Sequence, residues 1–105
     1  MKGSTKDLLQ IQGVQGFVLT DGRNVQVKLP STHPLSGAKE RFKRLHQELG
    51  RKGARPGNTV EILLDNVLIT LFFSGSTMLA VLASPDVNQA LLRITGRLII
   101  AGSPG

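Results

Sequence analysis

Apolar residues alternate with polar residues in the first third of the chain. Valine or leucine at positions 25, 27 and 29 alternates with asparagine, glutamine and lysine, which predicts a strand with one buried face. An earlier apolar run ends at Asp21-Gly22, a pair typical of a two-residue type I′ turn. Residues 13–20 and 23–29 are therefore predicted to form a β-hairpin.

The period changes from two to about 3.6 after the hairpin. Apolar residues recur at spacings of three and four, which predicts an amphipathic helix over residues 35–49. These residues are Leu35, Ala38, Phe42, Leu45 and Leu49. The pattern places Phe42 on the side of the helix that packs against the core.

Three strand-like runs follow in the second half of the chain. They cover Thr59–Leu64, residues 67–73 and residues 78–83, with a tight turn predicted at Asp65-Asn66. Nearly every residue of the second run is apolar, so both of its faces should be covered and it should lie centrally in the sheet. Thr59–Leu64 carries no lysine or proline, the residues that commonly protect an edge strand.

Helices are predicted at both ends of the chain. Residues 4–11 suit a short helix of about two turns, which is marginal unless the sheet supports it. Ser84 and Pro85 suit the start of a last helix, one face of which carries the apolar residues Val87, Leu91, Ile94 and Leu98. Gly96 in this helix is expected to allow close packing against the sheet.

These elements define one α+β domain covering residues 1–105. We expect a five-stranded antiparallel sheet sandwiched between helices, in three layers and in the order α-β-β-α-β-β-β-α. Apolar residues make up 40% of the chain and aromatic residues only 4%, so leucine, isoleucine and valine must supply most of the burial. A small core of this kind would gain stability from dimerisation.

Basic residues are concentrated in one segment. Seven of the thirteen lysines and arginines lie between residues 39 and 55, whereas Thr59 to Ala83 contains none. The predicted partner surface consists of Lys39, Lys43, Arg44, Arg51, Lys52 and Arg55. Three interpretations remain open: a solvated face, a surface for an acidic protein, or a site for nucleic acid. The chain has no Tyr or Trp to stack on bases, which disfavours nucleic acid.

The order of elements resembles the Roadblock/dynein light chain family, which has a profilin-like sandwich. The segment Gly13-Val14-Gln15-Gly16-Phe17-Val18-Leu19, followed by Asp21-Gly22, is similar to the opening hairpin of that family. The apolar run that ends at Leu79-Ala80-Val81-Leu82, followed by the closing helix, is similar to its last elements.

The resemblance implies a non-enzymatic homodimer that binds a small Ras-like GTPase or a signalling or motor complex. It implies that the strand Thr59–Leu64 pairs with its symmetry mate, with the second helix packing beside it. The implied dimer interface contains Val60, Ile62, Leu63 and Leu64. The alternative function is a basic nucleic-acid-binding module.

The sequence predicts no catalytic, cofactor or metal site. His33 and His46 lack a third ligand at metal spacing, and we expect His33 at a helix entry and His46 in solvent. Gly13 and Gly16 match no phosphate-binding motif, and Asp21 is expected to be a hairpin residue. The absence of cysteine, of a visible signal peptide and of an apolar run near 20 residues predicts a cytoplasmic protein without membrane insertion.

Overall fold

A computed structural model describes residues 5–21, 23–30, 39–51, 59–64, 66–74 and 77–101. The elements are α1 (Thr5–Leu9), β1 (Val14–Thr20), β2 (Val25–Lys28), α2 (Lys39–Arg51), β3 (Thr59–Leu64), β4 (Val67–Ser74), β5 (Thr77–Ala83) and α3 (Gln89–Ala101). This is the predicted element order, and the predicted bounds of β3 are confirmed. The predicted first turn of α2 falls at residues 35–38, outside the described residues.

The five strands form one antiparallel sheet in the order β2-β1-β5-β4-β3. All seven residues of β5 are buried, as are the first seven of β4. The prediction that β4 is covered on both faces is therefore confirmed. The middle strand is β5 rather than β4. The reason is that β1 pairs with the side of β5 that faces away from β4.

Helices cover both faces of the sheet and produce three layers. α1 and α3 share one face, where Leu8, Phe72 and Leu92 belong to one buried cluster. α2 lies on the other face, where Phe42 is buried among Val18, Ile69 and other residues of β1, β4 and β5. The predicted sandwich and the inward position of Phe42 are confirmed.

The position of α2 differs from the implied one in one respect. The resemblance implied a helix beside β3, but α2 packs against β1 and β2, at the opposite end of the sheet. Its contacts with β1 and β2 place α2 near the first hairpin. Any contribution of β3 to an interface therefore does not need α2 as its neighbour within the same chain.

The turns of the β1–β2 and β3–β4 hairpins differ from each other. Leu64 pairs with Val67 and Asn66 has a φ of 64°, so two residues join β3 to β4; Asp65 lies outside the described residues. The first hairpin instead ends its ladder at Thr20 and Val25, leaving four residues between the strands. A type I′ turn at Asp21-Gly22 requires positive φ at Asp21, which Asp21 does not have, so this prediction is wrong.

The Asp21 carboxylate explains the longer turn. Its Oδ1 accepts hydrogen bonds from the backbone N–H groups of Arg23 and Asn24, each at 2.8 Å. These two bonds stabilise the charged carboxylate and lower the pKa of Asp21 below its ordinary value. Local side-chain bonding of this kind competes with the tight two-residue turn.

The last helix begins later than predicted. Asn88 Oδ1 accepts a hydrogen bond from the N–H of Leu91 at 3.1 Å, and α3 starts at Gln89, so Asn88 is the N-cap rather than Ser84. Ser84 belongs to a preceding turn, where its carbonyl accepts from the N–H of Val87. The Ser-Pro-Asp signal is correct for a turn but lies four residues too early for the helix.

Replacing Asn88 with alanine tests this assignment. The substitution removes the acceptor for a free N–H in the first turn, so we expect a loss of about 1 kcal/mol in the free energy of unfolding. Ser84→Ala, at the rejected cap position, removes the hydroxyl hydrogen bonds to Asp86 and Gly13, and we expect a smaller loss, of about 0.5 kcal/mol. Urea unfolding measures both; a larger loss for Ser84→Ala than for Asn88→Ala would contradict the assignment.

The buried face of α3 is not the one that the apolar pattern suggested. Leu92, Gly96, Ile99 and Ile100 face the sheet, whereas Leu91, Ile94 and Leu98 are exposed. Of the predicted residues, Val87 is buried, just before the helix. A Cβ built on Gly96 would overlap the ring of Phe72, so this glycine allows the close packing that the sequence predicted.

Candidate functional site

The edge strand β3 combines an open backbone with exposed apolar side chains. It pairs only with β4 within the described sheet, so the hydrogen-bonding groups along its other side face outward. Val60 and Ile62 are half-buried and pack against the cluster on the α2 face. Leu63 is 65% exposed and Leu64 is 41% exposed. The four residues of the predicted interface therefore lie together along one accessible edge.

The only acidic residue of β3 has a partner. Glu61 forms an ion pair with Arg93 of α3, whose side chain is 44% exposed against 30% for Glu61. A pair this exposed contributes at most about 1 kcal/mol to stability. It does neutralise the one charged side chain of β3.

The opposite edge, β2, is protected. It has only four residues, it carries the exposed side chains of Gln26 and Lys28, and Pro30 follows shortly after it. Short length, lysine and proline are the features with which edge strands avoid pairing with other chains. Of the two sheet edges, β3 is therefore the one suited to pairing.

The basic residues are only partly within the described part of the chain. On α2, Arg41 and Arg44 are exposed and Lys43 is half-buried. Lys39 and Arg51 are the first and last residues of α2, but their side chains lie outside the description. Lys52 and Arg55 lie outside it entirely. Two exposed acids, Glu40 and Glu48, also belong to α2, which remains predominantly basic.

The histidines and glycines that were considered for metal or phosphate binding are accounted for by the fold where the structure describes them. His46 is half-buried in α2, so its predicted position in solvent is wrong; His33 lies outside the described residues. Gly13 has a φ of 98° and its carbonyl accepts from the N–H of Ser84 at 2.8 Å. A Cβ on Gly16 would overlap the Lys28 carbonyl. Both glycines permit close approach of neighbouring groups to the backbone.

One polar contact was not anticipated. Ser84 Oγ donates to Asp86 Oδ1 at 2.6 Å, and both residues lie in the turn before α3. His46, the histidine that the structure describes, is on α2 in the opposite layer of the sandwich, so no imidazole of the described residues lies beside this pair to act as a base. The Ser84–Asp86 contact therefore stabilises the turn.

The described part of the chain contains neither a candidate metal centre nor a candidate membrane span. Within residues 5–101, excluding the undescribed segments, no group of three His, Cys, Asp or Glu side chains is arranged to hold a metal ion. None of the helices described here is long and apolar enough to cross a membrane.

Solved structures with a similar architecture are known. A Roadblock/LC7 domain from Streptomyces avermitilis superimposes with a TM-score of 0.69 over 92% of this chain and 88% of that one, at 17% sequence identity. The chain has the Roadblock/LC7 fold. MglC from Myxococcus xanthus is also similar, with a TM-score of 0.54 over 91% of this chain and 88% of that one, at 19% identity.

The Roadblock/LC7 fold confirms the resemblance that the hairpin and the closing elements suggested. Sequence comparison alone does not reach it, since no family model matches the chain. A search of curated proteins likewise gives no match. At 17–19% identity the likeness lies in the topology and the layers, so it establishes the fold.

Proposed function

We propose that this protein is a non-enzymatic regulatory or scaffolding subunit that forms a homodimer through β3. The observation that carries the proposal is the unprotected edge of β3. Its outward backbone groups are a template for pairing with another strand, and its exposed Leu63 and Leu64 are costly to leave in water; a second copy provides the matching strand. Antiparallel pairing about a two-fold axis would join two five-stranded sheets into one.

The proposed interface consists of Val60, Ile62, Leu63 and Leu64. Leu63 lies on the α1/α3 face, because its pairing partner Leu68 belongs to the cluster on that face. Val60 and Ile62 lie on the α2 face, where they are only half-buried. Pairing of two β3 strands would therefore bury apolar side chains on both faces of the joined sheet, in addition to forming backbone hydrogen bonds.

The proposed partner is a small Ras-like GTPase or another signalling or motor protein with an acidic surface, in the cytoplasm. Support comes from the basic character of α2, where Arg44 is exposed and Lys43 half-buried, and from the resemblance noted in the sequence. The proposed partner surface extends along Lys39, Lys43, Arg44, Arg51, Lys52 and Arg55. A dimer would present two copies of it on the same face of the joined sheet.

Charge reversal on α2 tests the partner surface. A partner recovered from native cell extract, with and without added nucleotide, is immobilised and its association rate is measured. For Lys43→Glu with Arg44→Glu we expect association about tenfold slower and less dependent on salt, because electrostatic steering is lost. Arg23→Glu with Lys28→Glu makes the same change in charge on the first hairpin and should leave the rate within about twofold.

The alternative function, nucleic-acid binding, predicts a different result from the same variants. A basic module would bind duplex or single-stranded oligonucleotides with submicromolar affinity at physiological salt, and log affinity would fall linearly with log salt. If the wild type does so and the α2 reversal abolishes it, the scaffold proposal is replaced by this one. If oligonucleotides bind only weakly and equally to both double variants, the scaffold proposal stands.

A further inference from the structure

The outer face of α3 exposes a row of large apolar side chains. Leu91, Ile94 and Leu98 have exposed fractions of 45%, 60% and 47%. Their spacing of three and four residues aligns them on one side of the helix over about 10 Å. We call these three residues the α3 stripe. A soluble protein gains nothing from leaving such a row in water, so a covering partner is expected.

Cations border the α3 stripe on one side. At about 100° per residue, Arg97 projects about 60° from Ile94 around the helix axis, and Arg93 follows on the same side. Arg93 is engaged by Glu61, whereas Arg97 is exposed and forms no ion pair with the described residues. Helix α3 contains no acidic residue at all. The local field at the margin of the stripe is therefore positive.

A second copy of this chain is a poor match for this face. An antiparallel pair of α3 helices, related by a two-fold axis, would bring Arg93 and Arg97 of both copies to the same side. This repulsion adds to a formal net charge of +6 per chain.

We infer that the α3 stripe, with Arg97 at its margin, binds an acidic amphipathic helix of a partner protein. Residues at helical spacing fit a second helix, whose apolar ridge packs between them. Glutamates bordering that ridge would meet Arg97 and, by displacement of Glu61, Arg93. The α3 stripe lies on the layer opposite α2, and Arg93 connects its margin to β3 through Glu61. The surface adds a docking face to the proposed scaffold, and binding to the stripe does not require the dimer.

The probe is a synthetic amphipathic peptide of about 18 residues, long enough to form a helix. Leucines at the spacing i, i+3, i+4 and i+7 form one face of the peptide helix, and glutamates occupy the positions that flank this face. Fluorescence anisotropy gives the dissociation constant, and backbone amide shifts of the labelled protein locate the site. We expect saturable binding with shifts concentrated at residues 90–98. A matched peptide with lysine in place of glutamate should bind at least about tenfold more weakly.

Variants of exposed residues separate the apolar and charged contributions. Ile94→Glu is expected to weaken binding of the acidic peptide at least about tenfold, since it places a carboxylate in the stripe. Gln47→Glu adds the same charge on the exposed side of α2 and should change the affinity less than twofold. Arg97→Glu is expected to weaken binding about three- to tenfold and to flatten its salt dependence, whereas Arg23→Glu should not. Circular dichroism checks that each variant is folded.

Several results would overturn the inference. Self-association of the wild type that Ile94→Glu abolishes would make the occupant a second copy. Binding to vesicles of phosphatidylcholine and phosphatidylserine that requires Ile94, without binding of the acidic peptide, would make it a lipid surface. Equal affinity for the glutamate and lysine peptides would refute the preference for an acidic partner. Amide shifts located away from α3 would refute the assignment of the binding site to the α3 stripe.

Discussion

Replacing Leu63 with lysine is expected to turn the dimer into a monomer. Leu63 is 65% exposed in the single chain, so the substitution removes little from the folding of that chain. In the proposed dimer each copy would lose about 1.5–3 kcal/mol of apolar burial. The substitution would also add one positive charge from each copy to the same seam. The dissociation constant should therefore rise at least about hundredfold.

Light scattering coupled to size-exclusion chromatography measures this result at high micromolar concentration. Gln26→Lys is the matched control, because it places the same side chain at an exposed position on the opposite edge strand, β2. It should leave the dimer intact. Ile62→Lys should also dissociate the dimer, but Ile62 packs against the α2-face cluster, so that variant risks aggregation. A wild-type monomer at these concentrations would refute the proposed interface.

The central elements of the fold were predictable because their patterns allow one interpretation. An apolar run interrupted only by Thr70, as in β4, has to be covered on both faces. Asn66 takes the left-handed conformation that its place in a two-residue turn requires. The edge position of β3 followed from the order of elements and the resemblance, and the sheet order confirms it.

The first hairpin turn was mispredicted because a side chain outcompeted a backbone preference. Asp-Gly favours a two-residue turn when the aspartate adopts positive φ. Here the Asp21 carboxylate instead caps the N–H groups of Arg23 and Asn24, which holds a four-residue connection. Sequence alone does not indicate which of these two roles an aspartate takes, since both use the same residue at the same place.

The edge strand of the candidate site was predictable, but the exposed face of α3 was not, for a related reason. Helix α3 carries apolar residues around most of its circumference, so its periodicity is satisfied by either of two faces. The close approach of Gly96 to Phe72 selects the face with Leu92 and Ile99 and leaves Leu91, Ile94 and Leu98 outside. That choice depends on a tertiary contact 24 residues apart in sequence, which no local pattern contains.

The Gly96–Phe72 contact yields the second large prediction. In an ordinary helix interior, alanine is about 1 kcal/mol more favourable than glycine. At Gly96 the added methyl group would overlap the ring of Phe72, which is 1% exposed and enclosed by the core. Overpacking of a closed core typically costs about 1–3 kcal/mol. We therefore expect Gly96→Ala to destabilise the protein, opposite in sign to helix propensity alone.

Urea unfolding of four proteins separates the two effects: wild type, Gly96→Ala, Phe72→Leu and the double variant. Phe72→Leu should be destabilising by itself, but it opens space beside residue 96. In that background Gly96→Ala is expected to become neutral or stabilising, a coupling of about 1–3 kcal/mol. Thr95→Ala, at the neighbouring half-buried position, should show no such coupling. If Gly96→Ala stabilises the wild type by about 1 kcal/mol, the ring does not press on Gly96. The choice of face for α3, and the exposure of Leu91, Ile94 and Leu98 that depends on it, would then lose its physical basis.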